Sequence, residues 1–240
     1  MKYAGIDLAW KGETNPSAIA VGSLKGNEIL LEDIHPQIFG LNPILEFLKA
    51  QENLQGISVD ASLKIPNKTG YRKSETDLNK VYRNKWAGCY PTNQNLYPNA
   101  FSVRLSERLE EEGFKYGTEP KWQMECYPHA SLIEIFGLTR RLVYKKGKVG
   151  EKIAGQVKLA ELLLSLQESQ VLKLIIPNEL THFFDFKAIQ QLKGQSLKSN
   201  EDALDAVVCL YTAALFANKH AGNIYGDLEE GFVWVPDNVL

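Results

Sequence analysis

The sequence predicts an α/β fold: a mixed sheet whose first three strands form a meander, followed by alternating helix and strand, with helices on both faces. Three observations carry this. Residues 2–9, 18–24 and 28–34 are short apolar runs separated only by turn signals. From residue 42 onward, helical periodicity and short apolar runs take turns. Finally, 240 residues, 44% of them hydrophobic, are enough chain for one large core, so a single domain over 1–240 is expected.

The elements follow in order. Residues 2–9 are rich in small apolar side chains and carry one acid, Asp7, the pattern of a buried strand. Asn15-Pro16-Ser17 marks a turn before the second strand, and Lys25-Gly26-Asn27 makes a tight hairpin into the third. Asn42-Pro43 offers an N-cap with proline at the first helical position, and Ile44, Leu45, Phe47 and Leu48 give that helix its apolar face. Residues 56–60 form another short strand ending in Asp60. Residues 61–100 lose periodicity, and glycine, proline, asparagine and lysine dominate, which suggests a long basic insertion with a function of its own. A charged amphipathic helix over 101–112 stops at Gly113. Residues 122–127 are a further acid-bearing strand, and Pro128 opens a helix to Phe136. A basic loop over 140–150 leads into a helix over 151–166, and 185–192 forms a short helix. Ser199 opens the strongest helix, through Ala217, and 231–235 is a terminal strand.

Composition narrows the function classes. The net charge of -2 rules out a molecule that attracts nucleic acid through its whole surface, so any such affinity is local. Cys89, Cys126 and Cys209 are odd in number and far apart, without a CxxC pair. That argues against a disulfide framework or a zinc site and fits a reducing compartment. The first residues reach Asp7 before a signal-type apolar run forms, and the most apolar stretch, 206–217, is too short to span a bilayer. A cytoplasmic protein without a membrane partner is expected.

The acids carry the chemistry. Asp7, Asp60 and Glu125 each end, or nearly end, an apolar strand, where an acid is costly unless paired, hydrogen-bonded or bound to metal. Ligands of open α/β sheets gather at the carboxyl ends of strands. Three oxygen donors converging there suit magnesium or manganese. Taken singly, each also fits a residue that caps a helix or pairs with a lysine. Asp202 fits a capping box with Ser199, whereas Asp205 lies inside an apolar helix with no such role. Three residues apart, the two share a helix face and can reach one site. A buried salt bridge from Asp205 to a basic loop is the plainer alternative.

Together these segments resemble the ribonuclease-H-like superfamily, which includes Holliday-junction resolvases. More closely, the chain is similar to Domain of Unknown Function family 429, described as predicted nucleases. The segments are Gly5-Ile6-Asp7-Leu8-Ala9-Trp10, Asn15-Pro16-Ser17, Asp60, Glu125-Cys126-Tyr127-Pro128 and Glu201-Asp202-Ala203-Leu204-Asp205-Ala206, and the similarity extends to Trp234. The resemblance implies that Asp7 and Asp60 sit side by side while the late helix delivers Asp205. It further implies a nuclease that hydrolyses DNA or RNA phosphodiesters with two Mg²⁺ or Mn²⁺ ions roughly 3.5–4 Å apart. Asp7 would bridge them, Asp60 and Asp205 would each hold one, and Asp202 would lie within reach. Glu125 would be a further ligand or a base that orients water.

Substrate phosphates need cationic walls. Residues 61–90 hold seven Lys/Arg, among them Lys64, Arg72, Lys73 and Arg83, against two acids. Tyr71, Tyr82, Trp86 and Tyr90 interleave with them and suit stacking on unpaired bases. Residues 139–152 hold six more, where a merely solubilising role is the plainer reading. His129 suits a structural role in its helix's first turn. Two rivals remain: a non-catalytic nucleic-acid or partner-binding protein of the same fold, and, ranked lower, an actin-like ATP phosphotransferase. The latter class uses two domains and glycine-rich phosphate loops, and neither is evident here.

Overall fold

A computed structural model describes residues 1–10, 12–117 and 120–239, and shows an α/β fold with a mixed sheet of nine strands and seven helices among them. The chain opens with β1 (Lys2–Asp7), β2 (Ser17–Lys25) and β3 (Glu28–Ile38), an antiparallel meander. Helix α1 (Leu41–Lys49) leads to β4 (Leu54–Asp60), which pairs parallel with β1 on the side away from β2. Then come α2 (Lys73–Tyr82), α3 (Phe101–Glu111), the two-residue β5 (Lys115–Tyr116) and β6 (Trp122–Glu125). Helices α4 (Pro128–Ile135) and α5 (Val149–Ser165) precede β7 (Lys173–Ile175). The chain closes with α6 (Phe186–Gln191), α7 (Gly194–Ala217), β8 (Gly222–Asp227) and β9 (Gly231–Pro236). The strand order is β7-β3-β2-β1-β4-β6-β9-β8, with β5 beside β6.

Most of the expected elements are present, and the departures have local causes. Helix α1 begins at Leu41 rather than after Asn42. Gly40 precedes it with φ of 84°, a backbone state open to glycine, and Pro43 still falls in the first turn, where its missing N–H is not needed. The supposed loop over 61–100 contains α2. Its N-terminus is fastened by Glu75, whose Oε2 accepts from the Arg72 backbone N–H at 3.0 Å. Helix α7 starts at Gly194, five residues before Ser199. Ser196 Oγ accepts from Lys193 N at 3.2 Å and holds that end, while Ser199 lies inside the helix with its hydroxyl donating to the Gln195 carbonyl. The capping box expected at Ser199 and Asp202 therefore does not exist. Strands β5, β7 and β8 are additions to the expected elements; β7 has only three residues, and β8 is an exposed edge without an apolar face.

Helix α7 is buried nearly all round because it lies directly on β1, β2, β3 and β4. Gly5 permits the close approach: a Cβ there would stand 2.0 Å from Leu210 N and 2.2 Å from Ala206 O. Side chains alternate across a strand, so Asp7 shares the α7 face with Gly5. The opposite face carries Gln123, whose amide nitrogen donates to the Ser106 carbonyl of α3. None of the helices among the described residues is long and apolar enough to cross a membrane.

Candidate metal centre

The register of two strands builds half the site. In the parallel β1/β4 pair, Asp7 stands directly opposite Asp60, and both lie at the carboxyl ends of their strands on the α7 face. Asp205, fully buried in α7, comes down on them from above. One carboxylate oxygen from each of the three lies within 4.8 Å of the others. Asp205 thus meets two acids more than a hundred positions earlier in the chain, at the carboxyl ends of central strands.

Charge there is crowded. Burial, together with the nearby Asp205, Asp60 and Asp202 carboxylates, holds the Asp7 pKa well above the usual carboxylate range despite the lowering pull of Lys145. Burial, with Asp205 beside it, pushes Asp60 up to about 6, again against Lys145. Lys145 is the cluster's own cation: its Nζ is 2.7 Å from Asp205 Oδ2 and 3.5 Å from Asp60 Oδ2. Burial would lower the Lys145 pKa, but Asp205, Tyr144, Asp60 and Asp7 together raise it well above normal. The buried Tyr144 hydroxyl donates to Asp205 Oδ1 at 2.6 Å. Asp205 Oδ2 has the Lys145 ammonium as its partner.

Three carboxylates share one contacting ammonium, so the cluster is short of positive charge. Hard oxygen donors in that arrangement fit a divalent cation of the magnesium or manganese type. Asp202 is close enough to raise the pKa of Asp7, but Lys198 engages it, 2.5 Å from Oδ1, and reaches Glu201 at 2.8 Å.

Glu125 does not join the cluster. In the β4/β6 pair it stands opposite Val59, so its side chain faces away from that of Asp60. The next residue, Cys126, reaches the α7 side, where its thiol meets Cys209. Glu125 instead lies in a cage of its own. Oε1 accepts from Leu63 N, Tyr116 Oη, Arg72 Nη1 and Lys64 N at 2.9–3.3 Å, while Oε2 has no partner among the described residues. Burial pushes its pKa up, opposed by Arg72.

The expected phosphate contacts fare unevenly. Arg72 is 4% exposed and spent on Glu75 and Glu125, so it is not a free phosphate ligand. Lys64 donates to the Leu228 carbonyl and lies over the Tyr116 ring, and Lys73 pairs with Asp77. Arg83 is exposed at the end of α2. Tyr82 is buried in a small second core and cannot stack on a base. Trp86 and Tyr90 are exposed, but Arg140 lies over the first ring and Lys146 over the second, so the two basic loops meet. The residues that sequence reasoning did not single out are Tyr144, Lys145 and Lys198. A tyrosine set between Arg140-Arg141 and Lys145-Lys146 was the one available signal.

Fold and geometry together define an α/β protein with a three-carboxylate centre at the carboxyl ends of two parallel strands. The chain belongs to the family described as Protein of unknown function (DUF429), which matches residues 5–230. No curated protein and no solved structure matches it.

Proposed function

We propose that this protein is a metal-dependent nuclease that hydrolyses phosphodiester bonds of DNA or RNA at Asp7, Asp60 and Asp205. The observation that carries the reading is the convergence of these three carboxylates to within 4.8 Å. A ribonuclease-H-like assignment is supported by the meander β3-β2-β1 continued by the parallel β4. Asp7, on a central strand and near both other acids, would share bound Mg²⁺ or Mn²⁺. The bound ions would supply hydroxide at neutral pH and neutralise charge on the phosphate. The chain does the positioning: Tyr144 holds Asp205 through Oδ1 and leaves Oδ2 to Lys145, and Lys198 restrains Asp202 beside the centre. Lys145, already 2.7 Å from Asp205, can shift its ammonium to a phosphate oxygen.

The test is a Mn²⁺ titration by calorimetry, alongside cleavage assays on single-stranded, duplex and branched DNA and RNA. Mn²⁺ should bind and support cleavage of at least one substrate, and Asp7→Asn should abolish both. Cleavage that survives chelation or Asp7→Asn would overturn the reading. One observation favours a second reading: Lys145 already contacts two of the three acids. A cluster satisfied by its own lysine would suit a nucleic-acid or partner-binding protein without catalysis. Oligonucleotide binding without metal, and with no cleavage of any substrate, would decide for it.

A further inference from the structure

A cavity of about 410 Å³ opens beside the acid cluster, and Asp60 and Lys145 belong to its wall. That volume lies in the range of single small-molecule sites. Its walls are aromatic. Trp10 and Tyr97 form one contact pair with ring centres 5.1 Å apart, and Tyr127, His129 and Tyr144 form an edge-to-face series at 5.8 and 5.4 Å. Tyr90 lines it as well and is 75% exposed. Two of the lining residues, Glu125 and His129, each carry a buried polar atom without a partner among the described residues, Oε2 and Nδ1. A purely apolar guest would leave both unsatisfied. Burial, aided by Lys145 and Arg141, lowers the His129 pKa to about 3, so the ring is neutral and can offer either a donor or an acceptor.

We propose that this cavity receives one unstacked nucleobase, whose adjoining phosphate then lies at Asp7, Asp60 and Asp205. A nucleobase is flat enough to stack on the exposed ring of Tyr90, and its edge carries both donors and acceptors, the groups for which Glu125 Oε2 and His129 Nδ1 have no partner among the described residues. Arg141 and Lys146, which also line the cavity, supply positive charge where the sugar-phosphate chain enters. The inference rests on the nuclease reading and narrows its substrate to single-stranded or flipped-out nucleotides. A continuous, fully stacked duplex cannot place a base there.

The experiment is metal-free binding of nucleosides, nucleoside 5′-monophosphates and inorganic phosphate, read by tryptophan fluorescence and calorimetry on the whole chain. Nucleosides and monophosphates should bind one to one, and inorganic phosphate far more weakly. Cys89→Phe, which fills the cavity from its lining, should abolish nucleoside binding while Mn²⁺ binding stays unchanged. Because a filled cavity can impair folding, Tyr90→Ala at the exposed rim is the second variant, with an expected loss of about tenfold. Inorganic phosphate binding as tightly as the monophosphates, or nucleoside affinity indifferent to both variants, would overturn the proposal. Its fate is separable from that of the nuclease reading. Nucleoside binding without metal binding or cleavage leaves the base site standing alone, whereas cleavage with no nucleoside binding removes the base site and keeps the nuclease.

Discussion

Asp7 is the residue at which the electrostatic reading is most exposed to measurement. Folded Asp60 titrates at about 6 and Asp7 also above its ordinary range, so the native state keeps protons that the unfolded chain has released. Where the folded state binds more protons, stability falls as pH rises. From roughly pH 4 upward through 6, the metal-free protein should therefore lose stability through this cluster. His129 works in the opposite sense. Its folded pKa of about 3 lies below the ordinary 6.5, so its contribution is lost as pH falls through that interval. The informative comparison is thus wild type against Asp7→Asn, which cancels the histidine. At pH 7.5 without metal, Asp7→Asn should be more stable than wild type, and the gap should close toward pH 4. Saturating Mn²⁺ should stabilise wild type and leave the variant unmoved. Urea melts at several pH values check this, and a variant no more stable than wild type at pH 7.5 would mean the acids are already neutralised. The three acids were legible because an acid in an apolar strand or helix stands out against its neighbours. Lys145 was not, since a lysine in a basic loop looks like any other until the loop folds back onto Asp205.

At the level of elements, the site depends on how closely α7 sits on β1. Gly5→Ala would drive a Cβ into the backbone at Leu210 and Ala206, which no rotamer can relieve. The expected loss is at least about 3 kcal/mol in chemical denaturation, together with weakened Mn²⁺ binding as Asp205 is lifted from Asp7. A change within experimental error would show that the approach is not required. Helix α2 offers a second test. Removing Arg72 leaves Glu75 and Glu125 buried without their shared cation, and Arg72→Ala should cost about 3–5 kcal/mol. Pairing it with Glu125→Gln should recover part of that. Strand periodicity located β1, β4 and β6 correctly but could not tell that Glu125 faces away from the other acids. The register decides this: β6 meets β4 with Glu125 opposite Val59, and a slip of one residue would have reversed the outcome. Helix α2 was hidden for a similar reason, as polar residues supply most of its length and only Leu78 and Tyr82 among its large apolar side chains are buried.

Across the whole molecule, a net charge of -2 conceals a division between paired and unpaired cations. Arg72, Lys73, Lys80 and Lys85 of the first basic segment are all engaged with carboxylates. Arg140, Arg141 and Lys146 of the second make no ion pair among the described residues, and the last two line the cavity beside the acid cluster. The sequence points to the first segment as the phosphate surface; under the proposed nuclease reading Arg141 and Lys146 of the second are the better candidates, because they line the cavity beside the acids, while Lys73 and Lys80 share Asp77 and only Arg83 of α2's end stays exposed without an ion pair among the described residues. Counterion release makes the difference measurable. If three cations neutralise phosphates of a single strand, log K should fall against log salt with a slope of roughly -2. Arg141→Ala with Lys146→Ala should flatten it to roughly -1. Lys73→Ala with Lys80→Ala should leave it unchanged, since those lysines already face Asp77. Fluorescence anisotropy of a labelled oligonucleotide, measured in chelator across a range of salt, reads both slopes. A slope that follows Lys73 and Lys80 instead would place the strand along α2, away from the carboxylates, and would separate binding from the proposed chemistry.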